Sequence, residues 1–237
     1  MGRKYLRKLV PLLSAVGLLA AGNMPAHAAF VQVPLSSDNA KLQDLTNGNN
    51  YPVSGALTVG GVPFTIAVDA NGNNMWTTFL NGTVLDIPVN VFGVSTGYTL
   101  MNSIFGSCGA TIGTVEFQGS GGADQTFALI EGINIRDHIV GAFCNNIAPG
   151  TPSMDFGGDV HLDRQTFALS SAFLSQTLTH VVLTGFHLGG LGEPFITSLT
   201  VNNGVTSVPE PGTLILLGVG LAVFASVGRR KRYRLKG

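Results

Sequence analysis

The sequence predicts an all-β protein, an antiparallel β-sandwich with a targeting segment at each end. Short runs rich in Val, Ile, Thr and Phe recur between Gly, Asn and Pro turn signals. Long helical periods are absent between residues 29 and 208. Outside that span, each end pairs an apolar run with a basic cluster, the mark of an address and not of a packed core.

Taken in order, Arg3, Lys4, Arg7 and Lys8 form a positive leader region. Leu9 to Gly22 is a short apolar segment, and Ala26-His27-Ala28 is a small-residue cleavage site. Residues 1–28 are therefore a signal peptide cut by signal peptidase between Ala28 and Ala29. Residues 29–208 form the body, expected as one domain because about 180 residues make one good core. Its beginning, 29–50, looks irregular, with a short helical turn around 40–45.

Strands are expected at 62–68, 75–80, 83–91, 98–101, 111–117, 125–130, 165–169, 179–186 and 195–201, with 133–135 leading into Arg136-Asp137-His138. Asn81-Gly82 is a strong hairpin signal joining the second and third of these. In 83–91, Leu85, Ile87, Val89 and Val91 alternate with Asp86, Pro88 and Asn90, so one face is buried and one wet. Pro88 directs that strand to a sheet edge or a bulge. The Pro- and Gly-rich stretch 145–160 reads as a long loop. Gln-Thr-Phe-Ala-Leu occurs at 125–129 and again at 165–169, one echo without a sustained period.

Formal neutrality hides a strong asymmetry. Four of the 13 Lys and Arg lie in the signal and six follow the C-terminal apolar run. Lys41, Arg136 and Arg164 remain against all 13 acids, which lie between Asp38 and Glu210, so that segment carries −10. Such a body excludes nucleic acid as a partner, which needs a basic patch. Cys108 and Cys144 are the only cysteines. In an exported chain an even count favours a disulfide, with two buried free thiols as the rival reading.

Gly60-Gly61-Val62-Pro63-Phe64, Asp86-Ile87-Pro88-Val89, Tyr98-Thr99-Leu100-Met101-Asn102 and Ile135-Arg136-Asp137-His138 occur in that order. With the Thr-Phe-x-Leu strand and Thr197-Ser198-Leu199-Thr200-Val201, they resemble the galactose-binding-domain-like β-sandwich of a group of exported bacterial proteins. The resemblance spans roughly 42–202 and implies an antiparallel jelly roll. Such domains bind carbohydrate or serve as interaction modules, so exopolysaccharide is an expected partner. No cofactor is expected. Jelly rolls of this type often hold a structural Ca²⁺, and an acid-rich body leaves room for one.

The candidate chemistry is sparse. Gly93-Val94-Ser95-Thr96-Gly97 matches the G-x-S-x-G nucleophile elbow, but that elbow needs a helix after the serine, and Tyr98–Met101 reads as a strand. Asp69-x-Asn71-x-Asn73 begins like a calcium loop, yet Asn74 and Leu80 stand where its Gly and Glu should be. His138, His161, His180 and His187 lack zinc-ligand spacing, so no metal site is assigned. Trp76 is expected in the core. Arg136, Asp137, Asp163 and Arg164 hold two of the body's three cations; they are either a structural ion-pair group or a rim for sugar hydroxyls. No catalytic residues are assigned and an enzyme is not expected. The alternative is a carbohydrate-active, glycoside hydrolase-like enzyme using loop acids such as Asp155, Asp159 and Asp163, which would need two carboxylates facing across a cleft.

The C-terminal segment 209–237 opens with Pro209-Glu210-Pro211, continues through an uncharged run at 211–228, and closes with Arg229-Arg230-Lys231-Arg232. An 18-residue helix over that run spans roughly 27 Å, a marginal membrane crossing. The basic cluster is a cytoplasmic stop signal that leaves the body outside. This order resembles the PEP-CTERM sorting signal read by exosortases. The resemblance implies an exported protein, anchored in the inner membrane and then sent to the cell surface or the extracellular matrix.

Overall fold

The computed structural model describes residues 29–35, 37–46, 50–80, 83–186 and 190–204, and these fall within one compact unit. The signal peptide, the Asn81-Gly82 turn, His187 and the whole sorting segment lie outside the described residues. Among the described residues no helix is long and apolar enough to cross a membrane.

The strands are β1 (Ala29–Val33), β2 (Gly55–Val59), β3 (Val62–Ile66), β4 (Trp76–Thr77), β5 (Val84–Phe92), β6 (Val94–Ile104), β7 (Thr111–Gly119), β8 (Asp124–Ile130), β9 (Ser153–Asp155), β10 (His161–Ala168), β11 (Thr177–Gly185) and β12 (Glu193–Asn203). They pair antiparallel throughout. One sheet runs β1-β12-β6-β10-β9 with β4 also on β12, a second runs β5-β11-β7-β8, and β2-β3 is a separate hairpin.

The two larger sheets face each other across an apolar core. Leu85 and Ile87 of β5, Val115 and Phe117 of β7, and Val181 and Leu183 of β11 meet Met101 of β6 and Leu199 and Val201 of β12. Trp76 joins this core at 3 % exposure, the core placement expected of it. A second core lies on the other face of the six-stranded sheet. Leu100, Leu162 and Phe195 are covered there by Val59, Val62, Phe64 and Ile66 of the hairpin, with Leu42, Tyr51 and Met75.

β12 is therefore buried on both faces. Its outer-facing Ser198 and Thr200 donate to the carbonyls of Thr65 and Pro63 at 2.8 and 2.7 Å. These side chains satisfy backbone acceptors of β3 that have no strand partner there, which a hydrocarbon side chain could not do. A register shift between Ile196 and Ser198 keeps Ile196, Leu199 and Val201 in one core and Phe195 in the other.

β5 is an edge strand, and the register of its partner shifts between Leu178 and His180, beside Pro88. Edge and bulge both accommodate the missing Pro88 donor. Gly93 turns the chain directly from β5 to β6 with φ +71°. A Cβ at Gly97 would run into the Phe117 ring. Both glycines of the G-x-S-x-G match thus serve a strand-to-strand turn and sheet packing, and Ser95 sits on β6 with its hydroxyl on the Asn202 carbonyl.

Several sequence expectations are corrected. No hairpin joins 75–80 to 83–91: β4 pairs with β12 and β5 with β11, in different sheets, with a 3-10 turn at Thr78–Leu80 between them. The start of the body, read as irregular, forms β1 on β12, and the loop 145–160 contains β9 on β10. The short helical turn is a 3-10 helix at Leu42–Thr46.

Candidate functional site

The segment 136–139 enters the six-stranded sheet where β6 and β10 separate. Strand pairing of β10 with β6 ends at Arg164 opposite Leu100, although β6 continues to Ile104. Beyond that point the Ser103 amide donates to the Arg136 carbonyl at 2.9 Å and the His138 amide to the Ser103 carbonyl at 3.0 Å. On the other side the His161 amide donates to the His138 carbonyl at 3.1 Å, and Ile139 bridges to Val160. The inserted segment takes over the hydrogen bonds the parted strands give up.

This insertion brings Arg136 to Asp163. Nε and Nη2 of Arg136 lie 2.7 and 2.8 Å from Oδ2 and Oδ1 of Asp163, a planar two-point pair. Asn102 completes the carboxylate's surroundings: its Nδ2 donates to Asp163 Oδ2 at 2.9 Å and its Oδ1 accepts from the Asp163 amide at 2.9 Å. Asp163 is fully buried, so its charge depends on these partners.

Asp137 and Arg164 take different paths. Asp137, also buried, accepts from the Phe105 and Ile139 amides at 2.8 Å each. Burial pushes its carboxyl up, opposed by the amides of Ile139, Phe105 and Gly106. Arg164 leaves β10 on the face opposite Asp163, donates to the Gly60 carbonyl at 2.6 Å, and lies 5.4 Å from the Tyr98 ring centre. The four residues nominated from the sequence therefore do not converge on one surface. One pair is an interior fork, one carboxylate holds loop backbone, and one guanidinium clamps the β2–β3 turn.

Buried histidines line the inserted segment. The Tyr51 hydroxyl donates to the His161 carbonyl at 3.0 Å and lies 3.1 Å from His138 Nδ1. Its one proton being used, its oxygen accepts from Nδ1–H, which sets the His138 tautomer. Burial pushes His138 down to about 4, helped by His161, and pushes His161 down as well. Both rings are neutral near pH 7. Glu131, fully buried, is pushed up to about 7 by burial, with Ser103 favouring its charged form and Asp137 opposing it.

Elsewhere, Asp69 Oδ1 accepts from the Asn71 and Asn73 amides at 2.8 Å, a local Asn-rich turn. His180 pairs with Asp86 at 2.7 Å on the exposed face of the second sheet. Asp155 and Asp159 are exposed. Among the described residues, no group of three or more His, Cys, Asp or Glu is placed to hold a metal ion.

Cys108 and Cys144 form a disulfide with Cα atoms 5.1 Å apart. It ties the inserted loop to the end of β6, where three aromatic rings that sequence reasoning passed over stand together. Phe105 lies 6.0 Å from Phe79 and 5.2 Å from Phe143 between ring centres. One sequence signal was present: Phe143 directly precedes Cys144, and Phe105 lies three residues before Cys108.

No curated protein matches the chain significantly. Among solved structures, the mosquito-larvicidal Cry4Aa toxin from Bacillus thuringiensis is matched at 11 % identity and a TM-score of 0.30, over 74 % of this chain and 24 % of that one. The chain thus spans about a quarter of that toxin, and a likeness at this level carries no argument. Residues 207–232 match the family model described as the PEP-CTERM protein-sorting motif, so the chain carries the signal of an exported, exosortase-sorted protein.

Proposed function

We propose that this chain is a noncatalytic, exported module that binds carbohydrate at the cell surface or in an extracellular polysaccharide matrix. The observation that carries the reading is the sorting motif joined to a folded antiparallel sandwich. The motif supplies exosortase as the processing partner. The jelly-roll, galactose-binding-like assignment of the body rests on the ordered motifs between residues 42 and 202. Signal peptidase cleavage at Ala28–Ala29 and passage through the inner membrane by residues 211–228 belong to the same proposal.

Two buried carboxylates are held by structural partners and are withdrawn from a hydrolytic role, which leaves Asp155 and Asp159 as the exposed acids of that alternative. Asp163, one of the acids available to a hydrolase, has both oxygens engaged by Arg136 and Asn102. Asp137 spends its carboxylate on backbone amides. A hydrolase needs one carboxyl free to give a proton and another free to attack or activate water.

The test is a panel of neutral and acidic polysaccharides offered to the exported chain, with binding and product release scored separately. Binding without product is expected. Release of reducing ends would overturn the noncatalytic reading, and absence of any binding would overturn the carbohydrate reading.

A further inference from the structure

We propose that Phe79, Phe105 and Phe143 form the binding surface, and that its ligand is a single neutral glycan chain. The inference rests on the carbohydrate reading above and names its site. The rings are 50, 40 and 62 % exposed, although each could bury a large apolar area in a core. Their grouping makes an aromatic patch on a secreted body, and clustered exposed apolar rings mark interaction sites.

The backbone beneath the patch is strained. Phe105 has φ +64° and Phe143 φ +49°, a region that disfavours bulky side chains. Gly or Asn would occupy either position more easily. The strain is held in place by neighbouring groups: Asp137 accepts from the Phe105 amide at 2.8 Å, and the Cys144 amide donates to the Gly106 carbonyl at 2.9 Å. Asn145 donates to the carbonyls of Ile139 and Ala142 at 2.6 and 2.7 Å, and the Cys108–Cys144 bridge closes the loop. Strain maintained by a buried carboxylate and a disulfide to display two rings points to use of the rings.

The chemistry of the patch selects the ligand. The apolar face of a pyranose presents C–H bonds to the electron-rich face of an aromatic ring. Arg136 is occupied by Asp163 and Arg164 by Gly60 and Tyr98, and the segment from Asp38 to Glu210 carries −10. That field repels acidic polysaccharides and anionic lipid. The rings incline at 55° and 79° to one another, a broken surface that fits one chain better than the flat face of a crystalline polymer.

Affinity electrophoresis of the exported chain in gels containing dextran, galactomannan, hydroxyethylcellulose or alginate tests this, alongside F79S, F105G, F143G and F143S. The expected result is retardation by at least one neutral polymer and none by alginate. F105G and F143G should each weaken binding at least tenfold while the melting temperature holds or rises, because glycine relieves the backbone strain. F143S, which removes only the most exposed ring, keeps the test open should either glycine variant misfold. Wild-type binding that survives in all four variants overturns the aromatic site and leaves the carbohydrate reading standing. Binding lost only together with thermal stability also overturns it, as a structural effect. Wild-type chain that binds no polymer overturns both, and ring-dependent partitioning onto phosphatidylcholine vesicles in that case makes the patch a lipid contact.

Discussion

Arg136 closes on Asp163 through two hydrogen bonds of 2.7 and 2.8 Å, and Asp163 has no exposed surface. Removing the guanidinium leaves a buried carboxylate with only the Asn102 amide and the His161 ring, 3.7 Å from Asp163 Oδ2, beside it. Breaking such a pair from one side costs about 3–5 kcal/mol, more than the pair itself contributes, because the remaining charge stays desolvated. R136A is therefore expected to lose about that much in urea unfolding. R136M combined with D163L should lose clearly less than R136A. Loss below about 0.5 kcal/mol in R136A would show that the fork is not structural.

Stability should depend on pH through groups that burial shifts in both directions, with Asp38 and Asp137 raised like Glu131 and His161 lowered like His138. His138 falls from 6.5 to about 4 in the folded chain, so its contribution is present above pH 6.5 and is lost as pH drops toward 4. Glu131 rises from 4.5 to about 7, so its contribution is present below pH 4.5 and is lost as pH climbs through 7. Between pH 4.5 and 6.5 the two offset each other. E131Q should match wild type near pH 4 and exceed it near pH 8, by at most about 3 kcal/mol. Thermal melts from pH 4 to 8 read this directly. A constant difference across that range would exclude Glu131 as the titrating group.

The bridge between Cys108 and Cys144 closes a 36-residue separation. Loop-closure entropy assigns it roughly 3–4 kcal/mol. Thiol labelling of the unreduced, denatured chain should find no free cysteine, and C108S/C144S should melt well below wild type. Because the bridge anchors the loop bearing Phe143, hydrogen exchange in residues 139–145 should rise in that variant. Two labelled thiols per chain would contradict the bridge.

Local rules made much of the body legible. Alternation in 83–91 placed Leu85 and Ile87 inside, and Pro88 marked both an edge and a bulge. Scarcity of cations drew attention to Arg136, and compartment logic paired the cysteines. The failures share one cause, dependence on distant partners. Asn-Gly suggested a hairpin, yet Trp76 and Thr77 found β12, more than a hundred residues away. The interior role of Arg136 required the parting of β6 and β10, which no local pattern records. Asn102, Tyr51 and His161 join that region only through the fold. The two Gln-Thr-Phe-Ala-Leu copies were visible as an echo; that Phe127 and Phe167 meet across the sheets at 5.2 Å was not. The left-handed backbone of Phe105 and Phe143 was equally hidden, because sequence favours such φ only for residues like Gly and Asn.

The sorting segment should be cut near Pro209-Glu210-Pro211. The uncharged run from Pro211 to Gly228 is barely long enough to cross a bilayer and contains Gly212, Gly218 and Gly220. Each glycine lowers helix stability by about 1 kcal/mol relative to Ala, which suits a temporary anchor better than a lasting one. Pro209 and Pro211 each lack a backbone donor and disfavour a helical residue before them, so an extended Glu210 is expected, the form a protease binds. Arg229 to Arg232 are expected to stop translocation and so to set the depth of that site. The body can be complete before the cut. β12 ends at Asn203 and pairs with Ala29, whose backbone nitrogen donates to Asn203 Oδ1 at 2.9 Å. A cut near Pro209 therefore falls beyond the last described strand. Intact mass spectrometry of protein from a host carrying an exosortase should find chains beginning at Ala29 and ending near residue 210. Chains that still carry Arg229 through Gly237 at their final location would show that the tail is a permanent anchor.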